Sequence, residues 1–201
     1  MKAIISSLKG VCTSLERQGL KRHALKVDAV LIRLAMPPRL QLSDETKAEL
    51  VTQLEAFNLA YNNASEAMAK VPRLRKWATG EEGGSGQDLL PVLDQLGHLP
   101  DVAIVTDEIL TALLEDVDKY GRLSVGVEAG KGLKRFKREI NILEQGTEEL
   151  REQIITLEGN AQDGNINRNE VGQMLASATA QWVDLNNISK LVKNLSEGYV
   201  K

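Results

Sequence analysis

The chain has 201 residues, 42% hydrophobic and 26% charged, with a formal net charge of −3; this is globular composition, excluding wholesale disorder, and the length suits one generous domain or two small ones. Aromatic residues are only 3%, so the core is left to Leu, Ile, Val and Ala, as in helix bundles rather than sandwiches or barrels. The charge argues against indiscriminate nucleic-acid binding by the whole molecule, the single Cys12 excludes an internal disulfide and a cysteine-based zinc cage, and no run reaches the ~18 apolar residues of a membrane span.

Ile4, Leu8, Val11 and Leu15 recur at three and four, the spacing of one helix face. The start Met1 to Ile5 invites reading as a signal peptide, but its apolar stretch breaks at Ser6, Ser7 and Lys9. We read it as the first helix, with a cytoplasmic location as the default expectation. Gly19 ends that helix, and a second follows with Leu20, Ala24, Val27, Leu31 and Leu34 on its face, stopped by Pro37-Pro38. The two form a helical hairpin.

Ser43-Asp44-Glu45 is a helix start, a capping hydroxyl followed by acids beside the positive end of the dipole. Leu50, Leu54, Phe57, Tyr61, Ala64 and Met68 mark the third helix, which Pro72 is expected to end or kink before a short basic helix up to Trp77. Gly80 to Gly86 is the clearest linker. Two helices are expected next, Asp88 to Leu96 and Asp101 to Tyr120, and then a glycine-bearing loop from Ser124 to Gly132.

Leu133, Phe136, Ile140, Leu143, Thr147, Leu150, Ile154 and Leu157 hold a heptad register without a slip. Glu139 and Glu144 would oppose each other in a parallel dimer, so packing against helices of the same chain is favoured over a homodimeric coil. A last helix from about Arg168 to Ser196 presents Val171, Met174, Ala178, Trp182, Leu185, Ile188, Val192 and Leu195. The expected fold is therefore all-α: a helical bundle with an N-terminal helical hairpin and a long coiled-coil-like helix pair at the C-terminus. It would divide into an N-terminal subdomain over 1–79, a linker over 80–87 and an acidic, coiled-coil-like subdomain over 88–201.

Three segments invite a chemical reading. Gly159 to Glu170 resembles an EF-hand calcium loop, with Asp163, Gly164, Ile166 and Glu170 at matching positions; the resemblance implies Asp163 and Glu170 as metal ligands. Gly159 and Ala161 stand where two oxygen ligands belong, and the plainer reading is an Asp-Gly turn before a helix capped by Asn167, with Glu170 completing a capping box. Gly126 to Gly132 invites comparison with a phosphate loop, but Gly132 stands in place of the Ser or Thr that would hold magnesium and no strand precedes it. Lys131, Lys134, Arg135, Lys137 and Arg138 form a basic cluster suited to an anion or a partner. Phe136 belongs to the core register, so no aromatic stacking platform accompanies them.

Charge is segregated along the chain. No Lys or Arg lies between Trp77 and Asp118, a stretch with ten acids, whereas Met1 to Leu42 holds eight basic residues against Glu16 and Asp28. Such a pattern suits three arrangements: acids left solvated, an acidic segment docked on the chain's own basic helices, or head-to-tail pairing with copies and partners. Cys12 reads as a small buried residue, Trp77 and Trp182 as packing anchors, and His23 and His98 lie at no metal-ligand spacing. The run Leu15 to Leu20 with Ala24 and Asp28 is similar to a short helical hairpin of phage and bacterial proteins, a resemblance that implies no chemistry. The reading is a non-enzymatic structural or interaction protein without a cofactor, assembling with protein partners or copies of itself, in the cytoplasm or within a virus-like particle. Alternatives are a nucleic-acid-associated helical protein and a calcium-responsive one.

Overall fold

The computed structural model describes residues 2–35, 42–81, 89–120 and 124–200. They form seven helices: α1 (Lys2–Arg17), α2 (Lys21–Ala35), α3 (Asp44–Ala78), α4 (Leu90–Leu96), α5 (Leu99–Tyr120), α6 (Ser124–Gln162) and α7 (Arg168–Val200). No strand occurs among the described residues, and the protein is an all-α helical bundle. The Pro37-Pro38 stop and residues 82–88 of the glycine-rich linker lie outside the described residues.

Contacts gather into two compact units, each discontinuous in sequence. One draws on 1–55, 105–141 and 187–201, the other on 56–104 and 142–186. This is a different partition from consecutive subdomains over 1–79 and 88–201, because α3, α5, α6 and α7 each contribute a stretch to both units.

Several helix ends follow the expected chemistry. Gly19 takes φ +73° after α1, and the Leu20 N–H reaches back to the Leu15 carbonyl at 2.9 Å, closing the helix through the left-handed residue. Ser43 caps α3 by accepting the Thr46 N–H at 3.1 Å. The buried Asp116 of α5 accepts the Ser43 N–H at 3.1 Å and the Thr46 hydroxyl at 3.2 Å, so a carboxylate sits at the positive end of α3.

Two expectations are corrected. Pro72 neither ends nor separates α3, which runs through it to Ala78. Pro72 is exposed, while Val71, Leu74 and Trp77 are buried on the other face and hold the segment in helix. Ser124 to Gly132 is the start of α6 and not a loop. Gly132 answers to packing, since a Cβ there would stand only 2.9 Å from Ile32, whereas one on Gly130 would make ordinary contact with Val117 at 3.5 Å.

The heptad face of α6 is buried by this chain's own helices at Leu133, Phe136, Ile140, Thr147, Leu150, Ile154 and Leu157, with Leu143 only half-buried. Gly146 fits the same packing, since a Cβ there would meet the Gln181 side chain of α7 at 3.3 Å. The α7 face is likewise enclosed at Val171, Met174, Ala178, Leu185, Ile188, Val192 and Leu195. Trp182 is half-buried, its ring 5.4 Å from that of Tyr61, and Trp77 is buried beneath the Arg168 guanidinium.

The hairpin departs from its expected faces. On α1 the enclosed residues are Ile5 and Cys12, whereas Ile4 and Val11 are exposed and Leu8 and Leu15 half-buried. On α2, Ala24, Leu25, Asp28, Ala29, Leu31 and Ile32 are enclosed and Val27 and Leu34 are half-buried, while Leu20 just before the helix is exposed. Both helices are turned toward α6, where Gly132 makes room for Ile32 and Arg135 engages Cys12 and Asp28.

Candidate functional site

The basic segment of α6 is distributed by helix geometry. With Leu133, Phe136 and Ile140 directed into the core, positions 131, 134 and 138 share the outer face and 135 and 137 fall on opposite flanks. Lys131, Lys134 and Arg138 are accordingly exposed, whereas Arg135 and Lys137 are partly enclosed.

Arg135 joins α6 to the hairpin. Its guanidinium donates to Asp28 Oδ1 at 2.8 Å, to Glu16 Oε1 at 3.2 Å and to Cys12 Sγ at 3.5 Å. Asp28 is fully enclosed, and burial pushes its carboxyl above the usual range in spite of the opposing effect of Arg135. Asp28 Oδ2 and Arg135 Nε are buried and meet no hydrogen-bond partner among the described residues. Burial, with the Asp28 charge adding to it, also pushes the Cys12 thiol up to about 11, so it is a neutral, enclosed group at neutral pH. Cys12, Glu16 and Asp28 offer ligand atoms within 4.8 Å of one another, but the positive charge at which they converge is the guanidinium itself.

Lys137 turns the other way, to Asp107 of α5 at 2.9 Å and to the Thr111 hydroxyl. Asp107 belongs to the acidic stretch, as do Asp116 at the α3 cap and Asp101, which accepts from Arg151 of α6 at 2.8 Å. Part of that stretch is therefore docked on the chain's own donors. Asp28 and Arg135 are 107 positions apart, and nothing local in the sequence marks them as partners.

The twelve positions from Gly159 to Glu170 do not close into one loop. Residues 159–162 continue α6, Gly164 takes φ +76°, and the Asn165 N–H reaches back to the Asn160 carbonyl at 2.8 Å, a helix C-cap. Asn167 then opens α7, accepting the Asn169 N–H at 3.0 Å and donating to Glu170 Oε1 at 2.9 Å. Asp163 and Glu170 thus stand at a turn and in a capping pair, both exposed.

One concavity with charged residues on its rim escapes sequence reading. A hollow of about 200 Å3 is lined by Asp94, Gly97, His98, Arg151, Ile154, Ile155 and Glu158. His98 Nδ1 lies 2.8 Å from Asp101 Oδ2, and Arg151 Nε donates to the Gly97 carbonyl at 2.8 Å. Burial, reinforced by Asp94, raises the Glu158 carboxyl above its ordinary range. The signal available in sequence was only the proximity of His98 to acids, which is common on charged helices. No family model, curated protein or solved structure matches this chain.

Proposed function

We propose that this protein is a non-enzymatic structural or interaction protein that assembles with copies of itself or with larger partners. The carrying observation is that the hairpin leaves apolar residues uncovered on its two helices while its surroundings are strongly basic. The charge segregation supplies the complementary half, since the remainder of the chain is acidic. A component of a larger particle such as a phage virion fits this reading, in keeping with the resemblance of residues 15–28. Light scattering as a function of concentration and salt tests it. The expected result is a mass that rises with concentration and falls with added salt; a salt-insensitive monomer throughout overturns it.

A second reading is favoured by the outer ridge of Lys131, Lys134 and Arg138, whose exposure suits phosphate contacts. Association with nucleic acid through that ridge would show a steep salt slope, reduced when Lys134 and Arg138 become Ala. Absence of binding at low salt overturns it.

A further inference from the structure

The α1–α2 hairpin meets α6 through one side, Cys12 and Glu16 on α1 and Asp28 and Ile32 on α2. The adjoining side of each helix is apolar and incompletely covered. On α1 it carries Ile4, Leu8, Val11 and Leu15, with Ile4 57% and Val11 48% exposed. On α2 it carries Val27, Val30 and Leu34, with Leu20 just before the helix, Leu20 being 42% and Val30 48% exposed. The α1 set steps by four and three, and the second set does so through the exposed His23 between Leu20 and Val27, the spacing by which a helix receives another helix.

Charge selects the occupant. Arg22, Lys26 and Arg33 border the apolar side of α2 and are exposed. The two acids among the first 42 residues, Glu16 and Asp28, are both engaged by Arg135. Two identical hairpin faces would therefore bring like charges together. The first half of α3 is acidic on balance, with Asp44, Glu45, Glu49 and Glu55 against Lys47, which pairs with Asp44 at 3.6 Å. Asp44, Ala48, Val51 and Glu55 share its outer face at the same spacing, and Val51 is 40% exposed. Beside that face runs an acidic groove of about 490 Å3 between α3 and α5, lined by Glu49, Asp107 and Glu108 with Thr52, Gln53 and Thr111. The hairpin has no aromatic residue to seat it in a lipid interface, which favours a helical partner over a membrane.

We infer that the apolar, basic face of the hairpin docks on the outer face of α3 of a second copy, with Val11 and Val30 against Val51 and Lys26 against Glu55 and the groove at Glu49. The contact joins two different faces of the same chain, so repetition gives a ring or a filament. This inference rests on the self-assembly reading above and assigns its surfaces.

Sedimentation velocity with three proteins tests it: the wild type, a hairpin variant (Lys26→Glu, Val30→Asp) and an α3 variant (Val51→Asp, Glu55→Lys). All four substitutions are at exposed positions, and circular dichroism checks that helicity is kept; Lys26→Glu and Glu55→Lys alone serve if either double variant unfolds. The wild type is expected to self-associate at low salt, and each variant alone to lose at least about tenfold in association, as for central contacts of an interface. An equimolar mixture of the two variants retains one intact pair of faces and is expected to stop at a 1:1 dimer. Undiminished association of either variant, or a mixture that stays monomeric, overturns the assigned surfaces while leaving self-assembly standing. A wild type that stays monomeric overturns both, and binding of the wild type but not the hairpin variant to anionic phospholipid vesicles, without self-association, reassigns the face to a membrane.

Discussion

Arg135 of α6 and Asp28 of α2 meet at 2.8 Å, the carboxyl enclosed and the guanidinium about a quarter exposed. Such a pair is informative through what happens when one half is removed. Replacing Arg135 by Met leaves Asp28 buried without its counter-charge and is expected to cost about 3 kcal/mol, the lower end for breaking a buried pair because Arg135 keeps some solvent. The double variant Arg135→Met, Asp28→Leu should recover most of that loss. Urea denaturation midpoints check both values, and a double variant as unstable as the single one would contradict the account.

Alkaline pH should weaken the fold through two groups. Burial raises Cys12 from 9.0 to about 11 and Tyr199 from 10.0 to about 12. The folded chain keeps these protons after the unfolded chain has released them, so stability is fully present below pH 9 and falls as pH rises through 11 and 12. Cys12→Val should flatten the decline between pH 9 and 11, and Tyr199→Phe the part above it. Denaturation curves at stepped pH give the slopes. A thiol reagent at neutral pH is likewise expected to label Cys12 only as the protein unfolds.

Two glycines in helices should respond oppositely to alanine. A Cβ on Gly10 meets nothing within 4 Å, so Gly10→Ala should stabilise α1 by about 0.5–1 kcal/mol. A Cβ on Gly132 would stand 2.9 Å from Ile32 Cγ1 and 3.1 Å from Cδ1. Gly132→Ala should therefore destabilise by about 1–2 kcal/mol after the helix-propensity gain is subtracted. Thermal melts of the two variants distinguish them by sign.

Pro72 interrupts the backbone hydrogen bonding of α3 at an exposed position. Pro72→Ala should restore a donor and raise stability by about 1–3 kcal/mol, read as a shift in denaturation midpoint. An unchanged or lower midpoint would show that the ring itself contributes packing.

The helices were legible wherever burial follows a stripe and the stripe has one possible cover. Ile140, Leu150 and Ile154 on α6 and Val171, Leu185 and Val192 on α7 are enclosed as their spacing predicts. On α1 the same rule named Ile4 and Val11, while the structure encloses Ile5 and Cys12 a quarter-turn away. Periodicity states which residues gain from cover; which neighbour covers them depends on helices far along the chain. The glycines before Leu133 were misread for a related reason. Alone, Gly130 and Gly132 suggest a break, and only the presence of Ile32 turns Gly132 into a close-approach position. The basic cluster was visible as composition. That Arg135 and Lys137 face inward to acids on other helices follows from their flanks on α6 together with partners that no local pattern names.

The chain's last segment, 187–201, belongs to the same compact unit as its first helices. Arg33 donates to the Asn194 carbonyl at 3.0 Å, and the buried Thr106 donates to Ser189 at 3.1 Å. The surroundings of α2 are thus completed by residues as much as 161 positions further along the chain. Loss of residues 187–200 would therefore be felt where α2 packs, far from the deletion in sequence, because that segment belongs to the same compact unit.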